Sequence, residues 1–199
     1  MTSKGYAYAL WLALLASDTA FAHSPIEGIG NFYNGLLHPV FVPAHLLLLI
    51  AVGLLLGQQE PKPIETVLGI FAFAILAGLT GAWFSISTEM EAFILVLATA
   101  TGLLIAINPG IKLLWCIAIA VLAGFFLGID SAQDTLSGKE KLVSLFGSGV
   151  AIYFLLLYPM VLAEYFKKNT WQRTGIRIVG SWVAASSLLV LALSFSKVP

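Results

Sequence analysis

The feature that most constrains this chain is a succession of continuous apolar runs, each about as long as a bilayer is thick. They cover residues 36–57, 64–85, 89–107, 111–129, 142–165 and 175–195, and only short polar segments part them. In hydrocarbon every backbone N–H and C=O must be paired internally, which leaves helices or a closed barrel. Barrel strands would read as short alternating segments. These runs are unbroken and rich in Leu, Ala, Ile and Gly, so helices are expected. Charged residues make up 10% of the chain, against roughly 25% in soluble domains, too few to dress a water-facing surface. The expectation is an all-α, polytopic membrane helical bundle of about six transmembrane helices, forming a single domain over residues 23–199.

Residues 1–22 read as a secretory signal peptide. Lys4 supplies the charged start, residues 7–16 a short apolar core, and Ala20-Phe21-Ala22 a small-residue cleavage site. The core is too short to span a bilayer, which takes about 20 residues. Cleavage after Ala22 leaves His23 as the mature N-terminus. A free α-amino group beside an imidazole chelates Cu²⁺ or Ni²⁺, ions that favour nitrogen donors. Beyond it, Gln58-Gln59-Glu60-Pro61-Lys62-Pro63 and Asn108-Pro109-Gly110 are helix-ending turn signals. Residues 130–141 and 167–174 are expected as polar loops. The pairs Gly124…Gly128, Gly147…Gly149 and Gly78…Gly81 put small residues in mid-span, where they let helix backbones approach closely.

With the cleaved N-terminus outside, the first, third and fifth loops and their flanks face the cytoplasm. They carry six basic residues (Lys62, Lys112, Lys167, Lys168, Arg173, Arg177) against three on the other side (Lys139, Lys141, Lys197). That bias obeys the positive-inside rule. A net charge of zero argues against nucleic acid as a partner, and leaves the lipid bilayer as the expected environment. The single cysteine, Cys116, excludes an internal disulfide and a zinc-finger type of site; it reads as a small buried hydrophobe.

All three histidines, His23, His38 and His45, fall at the outer end. Glu27, Glu89, Glu91, Asp130, Asp134 and Glu140 gather there too, while Glu60, Glu65 and Glu164 lie inward. Imidazoles with carboxylates suit a divalent transition metal; an ordinary solvated acidic face is the plainer account. The sharpest element runs Asn34-Gly35-Leu36-Leu37-His38-Pro39-Val40-Phe41-Val42-Pro43-Ala44-His45. On an ideal helix His38 and His45 share a face but stand about 10 Å apart, too far to hold one ion. Pro39 and Pro43 disfavour regular helix, so a kink could bring the rings together, or they could be successive stations. Alternatively His38 caps the helix and His45 bonds to a neighbouring span. Glu89, at a span's start, is favoured by the helix dipole and could serve as a ligand if turned towards His45. Asp130 and Asp134 share a face if the helix continues through them; otherwise they belong to a polar loop. The candidate metal ligands are His23, Glu27, His38, His45, Glu89 and Asp130.

At His38–His45 the sequence resembles the HupE/UreJ family of small membrane proteins, associated with nickel or cobalt uptake for hydrogenase and urease. Members show a signal peptide ending just before a His, a first span bearing H-P-x-x-G-x-D-H, an acid in the third span and a His-rich motif in the fourth. The signal peptide, His23, His38-Pro39 and His45 match, and Glu89 or Glu91 stands where the third-span acid would be. The motif's Gly is Val42 here and its Asp is Ala44. The stretch Gly128-Ile129-Asp130-Ser131-Ala132-Gln133-Asp134 replaces the fourth-span histidines, and Tyr158 stands where a fifth-span His would lie. The resemblance implies a bacterial inner-membrane protein with its mature N-terminus on the periplasmic side.

Two functions are in view. One is a permease or metal-binding membrane protein for Ni²⁺, Co²⁺ or Cu²⁺, the ion being substrate or ligand; without a Walker motif the chain itself would not use ATP. The other is an accessory or structural subunit of a larger membrane complex, with partner subunits and no transport. Without H-E-x-x-H or G-x-S-x-G, no enzyme activity is expected.

Overall fold

The computed structural model describes residues 28–59, 64–84, 90–133 and 135–196. The expected signal peptide, His23, Glu27, Glu60, Glu89 and Asp134 lie outside these. Seven helices make up the described chain: α1 Asn31–Phe41, α2 Pro43–Gln58, α3 Ile64–Trp83, α4 Glu91–Ile107, α5 Leu113–Ile129, α6 Gly138–Phe166 and α7 Thr170–Ser196. Three of them, α3, α6 and α7, are long and apolar enough to cross a membrane. The bent pair α1–α2 makes a fourth candidate span. Helices α4 and α5 are apolar at 17 residues each, the low end of the spanning range of about 17–25.

The first apolar run is the main departure from the sequence reading. It forms not one helix but two, meeting at Val42 and bent by 71°. The cause is local. Val42 precedes Pro43, whose ring pushes the residue before it out of helical conformation, and Val42 is extended (φ −88°, ψ 107°). Pro43 then opens α2 at the first-turn position, where its missing N–H costs nothing. A second departure is the start of α7. Residues 170–174, expected as loop, are helical, because polar side chains do not stop a helix whose backbone bonds are made locally.

Helix α2 is apolar on every side, the pattern of a helix buried all round, and most of its side chains are buried. It packs on α6 and α4, with lesser contacts to α1, α5 and α7; α3 packs on α5, α4 on α7, and α1 on α6. Glycines set these approaches. A Cβ on Gly128 would lie 2.7 Å from the Ile75 carbonyl oxygen, and one on Gly124 2.9 Å from that of Phe71, so α3 and α5 meet backbone to backbone. Gly102 and Gly180 do the same for α4 and α7. The expected small-residue seam Gly124…Gly128 is therefore the α3–α5 contact, and Gly78 faces it.

One end of the bundle is tied by Gln59. Its Oε1 accepts from the Ile111 N–H (3.1 Å) and its side-chain amide donates to the Pro109 carbonyl (3.5 Å), so the end of α2 grips the α4–α5 turn. That turn begins with Asn108 in the left-handed region (φ 53°), a conformation asparagine tolerates at a helix end, just before Pro109. The opposite end gathers the start of α1, the α1–α2 bend, the end of α5 and the starts of α4 and α6. The candidate site lies there.

Candidate metal-ion site at the α1–α2 bend

His38 and His45 come from the two arms of the bend. Seven residues along a straight helix would part them, but the 71° break folds one arm towards the other. Their ring centroids are 5.2 Å apart and nearly perpendicular, at 82°. His38 is 3% exposed and His45 is fully buried. The break at Val42–Pro43 thus does what the sequence allowed as one possibility: it brings the two rings together.

The third member comes from 85 residues away in the chain. His45 Nε2 lies 2.9 Å from Asp130 Oδ2, and the Asp130 side chain is 12% exposed. Helix α5 ends at Ile129, so Asp130 is its C-cap and the helix does not continue past it. Its other oxygen, Oδ1, accepts from the Met90 backbone N–H at 3.4 Å, just before α4 begins. One carboxylate therefore joins α2, α5 and the start of α4. His45 Nδ1 is buried with no hydrogen-bond partner among the described residues. Bonding of His45 to a neighbouring span, the plainer of the two expectations, is what the geometry contains. It does not exclude a metal role, since only one ring nitrogen is engaged.

Among the described residues no group of three or more His, Cys, Asp or Glu side chains is set to hold a metal ion. Of the six expected ligands, His45 touches His38 on one side and Asp130 on the other, and His23, Glu27 and Glu89 lie outside the described residues. Tyr158, where the resemblance would put a histidine, is 70% exposed on α6. Among the described residues, the cavity of about 510 Å³ between α2, α6 and α7 is lined only by apolar and neutral polar side chains, with no His, Cys, Asp or Glu. It is a groove on the bundle's flank and not part of this site.

Sequence reasoning missed several buried polar residues near this end of the bundle. Ser148 Oγ donates to the Gly35 carbonyl (3.0 Å) and is fully buried, with Asn34 and Ser144 buried nearby on the same α1–α6 contact. In the sequence, Gly147-Ser148-Gly149 reads as a packing signal alone. The signal was a serine one residue from a mid-span glycine, four residues after another serine. Lys141 is buried too and donates to the Trp83 carbonyl at the end of α3 (3.4 Å).

Comparison with known proteins gives a family model described as HupE / UreJ protein, which matches residues 10–190. No curated protein and no solved structure matches.

Proposed function

The chain belongs to the HupE/UreJ family, and from that premise we propose that it is a membrane permease, or a metal-binding membrane protein, for a divalent transition metal ion such as Ni²⁺, Co²⁺ or Cu²⁺. The observation that carries this reading is the pair of buried imidazoles, 5.2 Å between centroids, at a break in the first span. Ionisable side chains at membrane depth are costly and are kept where they serve an ion path. Broken spans are also where transporters place their ion and substrate sites. Imidazole nitrogens suit these ions.

In this reading His23 and Glu27 capture the ion at the periplasmic face, after the signal peptide is removed behind Ala22. His38 and His45 receive it within the bundle. Glu89 directly precedes Met90, whose N–H donates to Asp130, which supports it as a further ligand beside the pair. The protein then sits in a bacterial inner membrane with its mature N-terminus outside.

The test is accumulation of radioactive Ni²⁺ or Co²⁺ by cells producing the wild type, His38→Ala or His45→Ala at matched membrane levels. Accumulation falling to that of cells lacking the protein is expected. Uptake unchanged in both variants, together with a stoichiometric partner recovered from native membranes, would overturn this reading in favour of an accessory subunit.

A further inference from the structure

We infer that Asp130 is a positioning residue for His45: it holds the ring proton on Nε2 and so presents Nδ1 as a bare lone pair to the metal ion. The inference deepens the proposed function and rests on it for the identity of the ligand, but the tautomer itself can be read without any metal.

An ionised carboxylate only accepts hydrogen bonds. The 2.9 Å contact from Asp130 Oδ2 therefore requires the proton on His45 Nε2. In a neutral imidazole the other nitrogen is then an acceptor, or a metal donor. The surroundings of Nδ1 agree. It is fully buried and no described group accepts from it, so a proton placed there would be a buried donor without a partner, which is costly. A lone pair there meets no such penalty once an ion is bound. Metal-ligating histidines commonly donate their second ring N–H to a carboxylate, which fixes the tautomer and raises ligand basicity. Asp130 has the geometry of that carboxylate and not of a ligand: Oδ2 is taken by His45 and Oδ1 faces the Met90 N–H.

The Met90 bond makes the inference testable with an isosteric change. In Asp130→Asn the amide oxygen stays on the Met90 side, where an acceptor is required. The amide NH₂ then faces His45 Nε2 and donates to it, which drives the ring proton to Nδ1. The site keeps its shape and loses its lone pair. Replacing the carboxylate behind a functional histidine by its amide has this effect in serine proteases.

The experiment uses the full mature chain in lipid nanodiscs, ¹⁵N-labelled at histidine, with long-range ¹H–¹⁵N correlation spectra taken where the imidazoles are neutral. The His45 signals are assigned by their loss in His45→Asn. We expect the Nε2–H form in the wild type and the Nδ1–H form in Asp130→Asn. Titration with Co²⁺ alone should give a dissociation constant about 10–100-fold weaker for Asp130→Asn. An Nδ1–H ring in the wild type, or an unchanged ring in Asp130→Asn, overturns the inference. So does an inverted ring with wild-type Co²⁺ affinity, because Nδ1 would then not be the coordinating atom. If the wild type binds no Co²⁺ while the tautomer inverts as expected, the positioning role of Asp130 stands and the metal reading falls.

Discussion

At the scale of single residues, Pro39 shows how a local defect recruits a distant partner. It lies inside α1 and has no N–H, so the carbonyl four residues back, that of Gly35, loses its helical donor. Ser148 Oγ supplies one from α6, at 3.0 Å and fully buried. Gly35 itself has to be glycine, since a Cβ there would strike the Ser144 backbone. The serine is thus a repair to the α1 backbone, made where the two helices come closest. Ser148→Ala should cost about 1–3 kcal/mol, the penalty for a buried carbonyl left unpaired. In a Pro39→Ala background the carbonyl regains its own N–H donor, and the same change should cost under about 1 kcal/mol. Unfolding midpoints of the four proteins in mixed micelles give the double-mutant cycle; equal costs in both backgrounds would show that the serine does not serve the proline's gap.

At the scale of elements, the α1–α2 break is the device that builds the site. Proline here ends one helix and starts the next within two residues, and the extended Val42 between them sets the 71° turn. Val42 still donates to the His38 carbonyl (3.1 Å) and accepts from the Leu46 N–H (3.2 Å), so the break leaves few backbone groups unpaired. Pro43→Ala removes the clash that keeps Val42 extended, and a continuous helix becomes accessible. On it the two histidines would be separated by about 10 Å of rise. Co²⁺ affinity should fall at least about tenfold, with helical content by circular dichroism no lower than in the wild type. Unaltered affinity would mean that packing of α1 on α6, rather than the proline, holds the bend.

At the scale of the whole molecule, the two ends differ in chemistry. His38, His45, Asp130, Glu91 and Glu140 are at one end with Lys139 and Lys141, while Lys112, Lys167, Lys168, Arg173 and Arg177 are at the other with Glu65 and Glu164. Arg177 Nε donates to the Ala106 carbonyl (2.6 Å), and Lys167 to that of Gln59 (3.5 Å), so some of these cations also hold helix ends. The positive-inside rule predicts that the basic end faces the cytoplasm. Alkaline phosphatase fused after Ser137 should be active, and fused after Gly110 inactive; the reverse pattern would invert the proposed topology and put the histidine pair on the cytoplasmic side.

The helical class, the turn at Asn108-Pro109-Gly110, the end of α2 at Gln58 and the small-residue seam of α3 and α5 were all legible in the sequence. Each rests on something local: a backbone bond four residues long, a proline's missing N–H, or a side chain too small to hold helices apart. The proline spacing even made a kink between His38 and His45 foreseeable. The start of α7 was not, because polar residues 170–174 read as loop although their backbone bonds close within the helix. Nor was the role of Asp130, which stood in the sequence as one acid among several at a span's end. Its pairing with His45 crosses 85 residues and depends on which helices pack side by side. No local pattern encodes that choice, so the sequence by itself determined the helices and the residues available to a cation. Only the tertiary packing decided which carboxylate met which imidazole, and therefore which nitrogen was left open.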